Sequence, residues 1–308
     1  MSQGLAVGVT QFVHYGAFEE LVLNTGGLYL MFGFGTGDTF NAMIHLRRAP
    51  PQGDYEFIIK APQENLVRFL LGSFEHPPAR VHVIPYWKHD FSQQIVMRFP
   101  SLPFARGVAA QAAGSGLIDF WQHPFNYQKL IPLEERDIAS LTDYFRSQPP
   151  ERILPAGSVV LFPTAGTNFS EYIPDWPHIA ASLKARGFQV FANQSGVADY
   201  GSEHIEGAEP INLPHDELIR LFYAGQPIHV VAVRSGVLDI LRFSAQKMLV
   251  FYQPALKGIF ETCRFGLLKH NLDLIELICM NHLKQHQDAM IDFYIDHFIG
   301  SSLDGAVR

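Results

Sequence analysis

The sequence predicts an α/β protein of two domains, each built on a parallel sheet, with a helical C-terminal tail. Three observations predict it. Short bursts of strand formers alternate with amphipathic stretches, the pattern of repeated strand–helix–strand units. A Pro-rich stretch, RSQPPERILPAG at 146–157, separates two such series. The 308 residues suit two domains of roughly 150 each. The domains are therefore placed at 1–150 and 151–308.

In the first domain LYLMFGF (28–34) reads as a strand running into the glycine-rich turn GFGTGD. A helix is expected over 39–48 and a strand, YEFIIK, over 55–60. Residues 62–72 put Leu66, Phe69 and Leu70 on one helical face, and RVHVIP (80–85) alternates as a strand does. Residues 92–116 are ambiguous, and 134–146 reads as a helix. The second domain opens with VVLF at 159–162, followed by the loop PTAGTNFSEYIPDW. A helix over 176–186 is stopped by Gly187. Strands follow at 188–192, 211–213, 228–233 and 248–252, with helices at 215–223 and from 235 to 242. Residues 271–298 are amphipathic and read as a helical tail that packs back across the first domain.

Composition narrows the function. With 47% hydrophobic and 17% charged residues, wholesale disorder is excluded. A net charge of −7 argues against a nucleic-acid protein, which needs a basic face. Cys263 and Cys279 cannot make a disulfide framework, so the expectation is a reducing compartment. The N-terminus lacks the basic start of a signal peptide, and no apolar run reaches the roughly 18 residues of a spanning helix. The chain reads as cytoplasmic and soluble, with peripheral contact at the inner membrane left open.

Three strand exits carry polar chemistry. After 28–34 come Gly33, Gly35, Gly37 and Asp38. Asp38 reads either as a helix N-cap or as a general base facing a cleft. The spacing G-x-G-x-x-D is not the dinucleotide fingerprint, and no ribose-binding acid follows, so NAD is rejected. After 228–233 come Arg234, Ser235 and Gly236, opening a helix. They read either as an ordinary Ser-capped start or as a phosphate site of amides and a guanidinium. After 159–162 come Thr164, Gly166, Thr167 and Asn168, which form a plain polar loop or donate to the same phosphate.

In that order these segments resemble a glycosyltransferase of the GT-B fold, closest to the bacterial heptosyltransferase-like group that builds lipopolysaccharide. Gly37-Asp38 is similar to that group's Gly-Asp turn. The segment 159–192, with Trp176-Pro177 at its helix start, is similar to the unit that opens its donor domain. IHVVAVRSGVLDIL is similar to its strand and Ser-Gly phosphate loop. The sequence departs from it in two places. Residues 167–175 carry no basic side chain, and Arg-Ser-Gly replaces Asp-Ser-Gly, which is more like fucosyltransferase-type enzymes.

The resemblance implies two Rossmann-like domains facing across a cleft, the first for acceptor and the second for donor. It implies inverting, metal-independent transfer from a nucleotide sugar to a glycan or glycolipid hydroxyl. Asp38 would be the base. Gly37, Thr164, Gly166, Thr167, Asn168, Arg234, Ser235 and Gly236 would hold the donor, with backbone contacts to the nucleobase near Leu213. Two alternatives stay open: a nucleotide-sugar 2-epimerase-like enzyme, and a non-catalytic GT-B binding or assembly protein. No metal or bound cofactor is expected. His282 and His286 have a ligand spacing but no third partner, His82 and His89 show no partner pattern, and no Walker loop or G-x-S-x-G elbow appears.

Overall fold

The computed structural model describes residues 8–11, 28–32, 35–48, 50, 53–84, 104–105, 116–119, 134–164, 174–194, 204–233, 235–244, 246–252, 274–278 and 287–298. The chain divides into two compact units, Met1–Leu141 and Thr142–Arg308. The division falls inside helix α3 (Glu135–Arg146), ahead of the Pro-rich stretch.

Among the described residues the N-terminal unit holds six strands: β1 (Gly8–Gln11), β2 (Leu28–Phe32), β3 (Tyr55–Lys60), β4 (Arg80–Ile84), β5 (Phe104–Ala105) and β6 (Gly116–Asp119). Their order across the sheet is β1-β4-β3-β2-β6-β5, and every pairing is parallel. In β3 three successive residues, Phe57, Ile58 and Ile59, are wholly covered, as expected of a strand covered on both faces. Helix α1 (Thr36–Arg48) follows β2 and buries Phe40, Met43 and Leu46 at helical spacing. Its last turn is fastened by Arg48 to Glu134 and Asp137, and by Arg47 to the Ser73 carbonyl and Ser140 Oγ. Helix α2 (Glu64–Leu71) begins after one 3-10 turn at Ala61–Gln63.

The C-terminal unit holds β7 (Val159–Phe162), α4 (Trp176–Ala185), β8 (Val190–Asn193), β9 (Glu209–Ile211) and α5 (His215–Tyr223). It continues with β10 (His229–Val233), α6 (Gly236–Leu241), β11 (Met248–Tyr252), β12 (Leu274–Ile278) and α7 (Gln287–Phe298). Its sheet runs β12-β11-β10-β7-β8-β9, again all parallel. Numbered within the unit, this is the 3-2-1-4-5-6 order of doubly wound sheets.

Helix α4 lays Trp176, Ile179 and Leu183 on a core shared with Val159, Leu161, Val231 and Leu249. Asp175 caps its start by accepting the His178 amide at 3.1 Å, and Gly187, at φ +85°, ends it. Gly207, at φ +88°, lets the next loop press on the helix, since a Cβ there would meet the Ala180 Cβ at 3.4 Å. The Pro-rich stretch is fastened to α5. Buried Glu217 accepts the amides of Glu151 at 2.6 Å and Arg152 at 3.0 Å.

The tail differs from the helix expected over 271–298. Residues Leu274–Ile278 form β12, paired with β11 from Leu274↔Met248 to Ile278↔Tyr252. The run LIELI is short and β-branched at two positions, and β11 offers it a ladder of backbone partners that outweighs its helical pattern. Helix α7 then docks on α4 of the same unit. Ile291 and Ile295 enter the core of the unit, Ser182 Oγ donates to Asp292 Oδ1 at 2.7 Å, and Arg186 pairs with Asp296.

His229 opens β10 buried against the Phe188 ring. Burial, helped by Lys247, pushes its imidazole down to about 4. Between pH 6.5 and 4 the unfolded chain therefore binds a proton that the native state refuses, so stability falls as pH falls through that window. The full cost is on the order of 3 kcal/mol. His229→Gln should flatten urea-derived stability against pH between 6.5 and 4. An unchanged slope would exclude His229 as its source.

Candidate functional site

In a doubly wound sheet the connections leave the strand order in opposite directions at one point, and a crevice opens there above the carboxyl ends. In the C-terminal unit that point lies between β7 and β10, where Phe162 is registered against Ala232. Thr164 stands exposed at the exit of β7. Ser235 stands at the exit of β10, with extended backbone (φ −148°, ψ 168°), as the N-cap of α6. Gly236 is the first residue of that helix. The fold thus brings Thr164 to one side of the crevice and Ser235-Gly236 to the other. Every residue of β7 and β10 is buried, which makes the platform stiff. Helix α6 is only 6 residues long, so what it offers an anion is the amides of its first turn more than a macrodipole. Gly166, Thr167, Asn168 and Arg234 lie outside the described residues.

The same rim continues over β8 and β9. Asn193, the last residue of β8, is buried and accepts the Leu213 amide at 3.0 Å through Oδ1. Beside it, the Gln194 amide donates to the Ile211 carbonyl at 2.8 Å. Leu213 was expected to meet a nucleobase through its backbone. Its side chain is buried and its amide is engaged by Asn193. Asn193 is the residue that sequence reasoning missed. Its signal was a polar residue ending an otherwise apolar strand, VFAN. Trp176 closes the far end of the loop after β7, edge-on to Phe251 with ring centres 6.1 Å apart. Among the described residues its buried indole Nε1 has no hydrogen-bond partner.

In the N-terminal unit the order reverses at β2, with β3 on one side and β6 on the other. Helix α1 starts at that point. It begins at Thr36, earlier than expected, so buried Gly37 is its second residue and Asp38 its third. Asp38 is therefore not the N-cap. An acid three residues into a helix suits the free amides of the first turn, and glycine is tolerated there. The turn closes with the Thr39 amide on the Gly35 carbonyl at 3.0 Å. The Asp38 side chain lies outside the described residues.

Two other polar groups resemble chemistry and are structural. His82, wholly buried on β4, meets Glu56 on the neighbouring β3. Burial lowers its basicity, and Glu56 opposes this in part. The pairing depends on the register Ile58↔His82, which the sequence does not display. Ser182, His178 and Asp292 come together between α4 and α7. Yet the serine donates directly to the carboxylate, and a single imidazole nitrogen faces both at 3.5 and 3.6 Å. A nucleophile relay needs the imidazole between the two. Among the described residues no group of three or more His, Cys, Asp or Glu could hold a metal ion, and no helix is long and apolar enough to cross a membrane. His89, His282, His286, Cys263 and Cys279 lie outside the described residues.

Solved structures similar to this chain include two glycosyltransferases. One is the ADP-heptose LPS heptosyltransferase II of E. coli, 11% identical, with a TM-score of 0.49 over 90% of this chain and 99% of that one. The other is a family 9 glycosyl transferase from Veillonella parvula DSM 2008, 13% identical, with a TM-score of 0.42 over 87% and 90%. No protein-family profile matches the chain, and no curated protein matches it in sequence.

Asn193→Ala should leave the Leu213 amide buried and unpaired, at a cost of about 1–3 kcal/mol in urea unfolding. Asn193→Asp keeps an acceptor and should lose less. An alanine variant as stable as the parent would show that Asn193 does not hold this rim.

Proposed function

We propose that the chain is a glycosyltransferase. It moves a sugar from a nucleotide-sugar donor to a hydroxyl of a glycan or glycolipid acceptor, in the building of a bacterial lipopolysaccharide or polysaccharide. The observation that carries the reading is the crevice between β7 and β10, with Thr164 on one lip and Ser235-Gly236 on the other. Doubly wound sheets bind nucleotides at that position, and the motif order read from the sequence puts a diphosphate there.

In this reading the C-terminal unit holds the donor and the N-terminal unit the acceptor. Asp38 takes the proton of the acceptor hydroxyl. The hydroxyl oxygen attacks the anomeric carbon opposite the leaving diphosphate, and the configuration inverts. The leaving nucleoside diphosphate gains negative charge. Arg234, the amides of Ser235 and Gly236, and the loop of Thr164, Gly166, Thr167 and Asn168 meet that charge. We assign no part of this to a metal, because these groups already answer the charge. The rim held by Asn193 and Leu213 borders the nucleobase. A glycolipid acceptor places the protein in the cytoplasm against the inner membrane.

Asp38→Asn tests the assignment in transfer assays with a panel of nucleotide sugars and extracted glycolipid acceptors. The rate should fall by about 10²–10⁴-fold, the usual weight of a general base, while donor affinity stays level. An undiminished rate would remove Asp38 from the role. Release of an altered free sugar without acceptor would replace the transferase reading with an epimerase.

A further inference from the structure

We propose that the C-terminal unit carries a second ligand site, at the amino end of its sheet, for a small anion mounted on a flat apolar body: the carboxylate or phosphate monoester of a ring. The site does not rest on the transferase reading.

A pocket of about 250 Å³ opens between the turn after α5 and the segment after α6. His229, the first residue of β10, and Lys247, just before β11, mark its place at the amino ends of those strands. All strands of this sheet are parallel, so the pocket and the crevice of Thr164 and Ser235 lie at opposite ends of β10. Four residue steps of strand separate the two ends, about 13 Å.

Charge makes the pocket selective for anions. Arg146 and Lys247 line it and no Asp or Glu is among its described lining residues; the nearest carboxylate to Arg146, Asp143, stands 3.6 Å from its guanidinium on the exposed face of the helix. Buried Arg242 adds a third cation, its guanidinium 4.5 Å above the Phe243 ring. These charges also bear on neighbouring groups. Lys247 adds to the burial that depresses His229, and Arg242 and Arg146 oppose the rise that burial imposes on the Tyr223 phenol. At neutral pH His229 is uncharged and serves as a hydrogen-bonding group beside the two lining cations.

Shape selects a ring. Phe222, Tyr223 and Phe243 supply aromatic walls. The frame that holds them is built. Gln246 donates to the Phe222 and Gln226 carbonyls, each at 2.9 Å, and accepts the Ile228 amide at 2.9 Å. Tyr223 donates to the Ile240 carbonyl at 2.9 Å. A volume of about 250 Å³ has room for one substituted ring.

Ligand-observed NMR on the full chain, with phenyl phosphate, benzoate, inorganic phosphate and phenol as probes, tests the site. Binding of phenyl phosphate or benzoate, at least tenfold tighter than inorganic phosphate and phenol, supports it, and the tighter of the two names the head group. The double variant Arg146→Ala, Lys247→Ala should weaken that binding at least tenfold. Its thermal midpoint should hold, since the Arg146 side chain is 60% exposed. Nucleoside diphosphates should not compete. Absence of aryl-anion binding, equal binding by the folded double variant, or displacement by UDP or ADP would each overturn the proposal.

Discussion

Strand β7 is paired on both sides, and the chain leaves it in one direction before returning on the other. Leu161 illustrates the constraint: it is wholly buried and registered against Ala192 on β8 and Val231 on β10. A strand locked laterally by two parallel neighbours cannot shift without breaking both ladders. The connection after β7 runs through α4 to β8. The chain reaches β10 only after β9 and α5, on the opposite side. Loops that diverge in this way cannot cover the strand ends between them. Thr164, Ser235 and Gly236 occupy that gap, where backbone groups left by the sheet need polar partners.

The acidic total of the chain conceals where its cations sit. In the C-terminal unit, Asp292 and Asp296 are turned toward α4, where Arg186 meets them. Glu217 is turned inward onto the amides of residues 151 and 152. These carboxylates are spent on holding elements together. The amino end of the sheet gathers Arg146, Arg242 and Lys247, and Arg234 follows β10 directly in the sequence at the other end. An anion meets local cations, and screening over about 8–10 Å makes distant carboxylates count for little.

Elements whose pattern and packing agree were legible in the sequence. YEFIIK, the helix at 215–223 and the strand at 248–252 form where the residues place them. The start of α1 was not, because glycine and aspartate read as loop residues while also being acceptable in a first helical turn. Strands β1 and β6 were missed because GVTQ and GLID are four residues long and owe their state to neighbouring strands. Strand β12 was read as helix for the same reason: pairing with β11 decides it. The sequence placed Thr164, Ser235 and Gly236 directly after strands, and the structure has them at those strand exits. The bond from Leu213 to Asn193, 20 residues apart, and the pairing of Glu56 with His82, 26 apart, depend on register, which one sequence does not display.

The central claim is that the carboxyl end of the C-terminal sheet binds a nucleoside diphosphate where the strand order reverses. Amide chemical-shift mapping during titration with UDP, GDP, ADP and CDP tests it most directly. The account predicts that one of these nucleotides shifts the amides of Thr164, Ser235, Gly236 and Leu213, while those of Gln226, His229 and Lys247 at the opposite end stay in place. Shifts confined to the amino end, or none with any nucleotide at millimolar concentration, would contradict it.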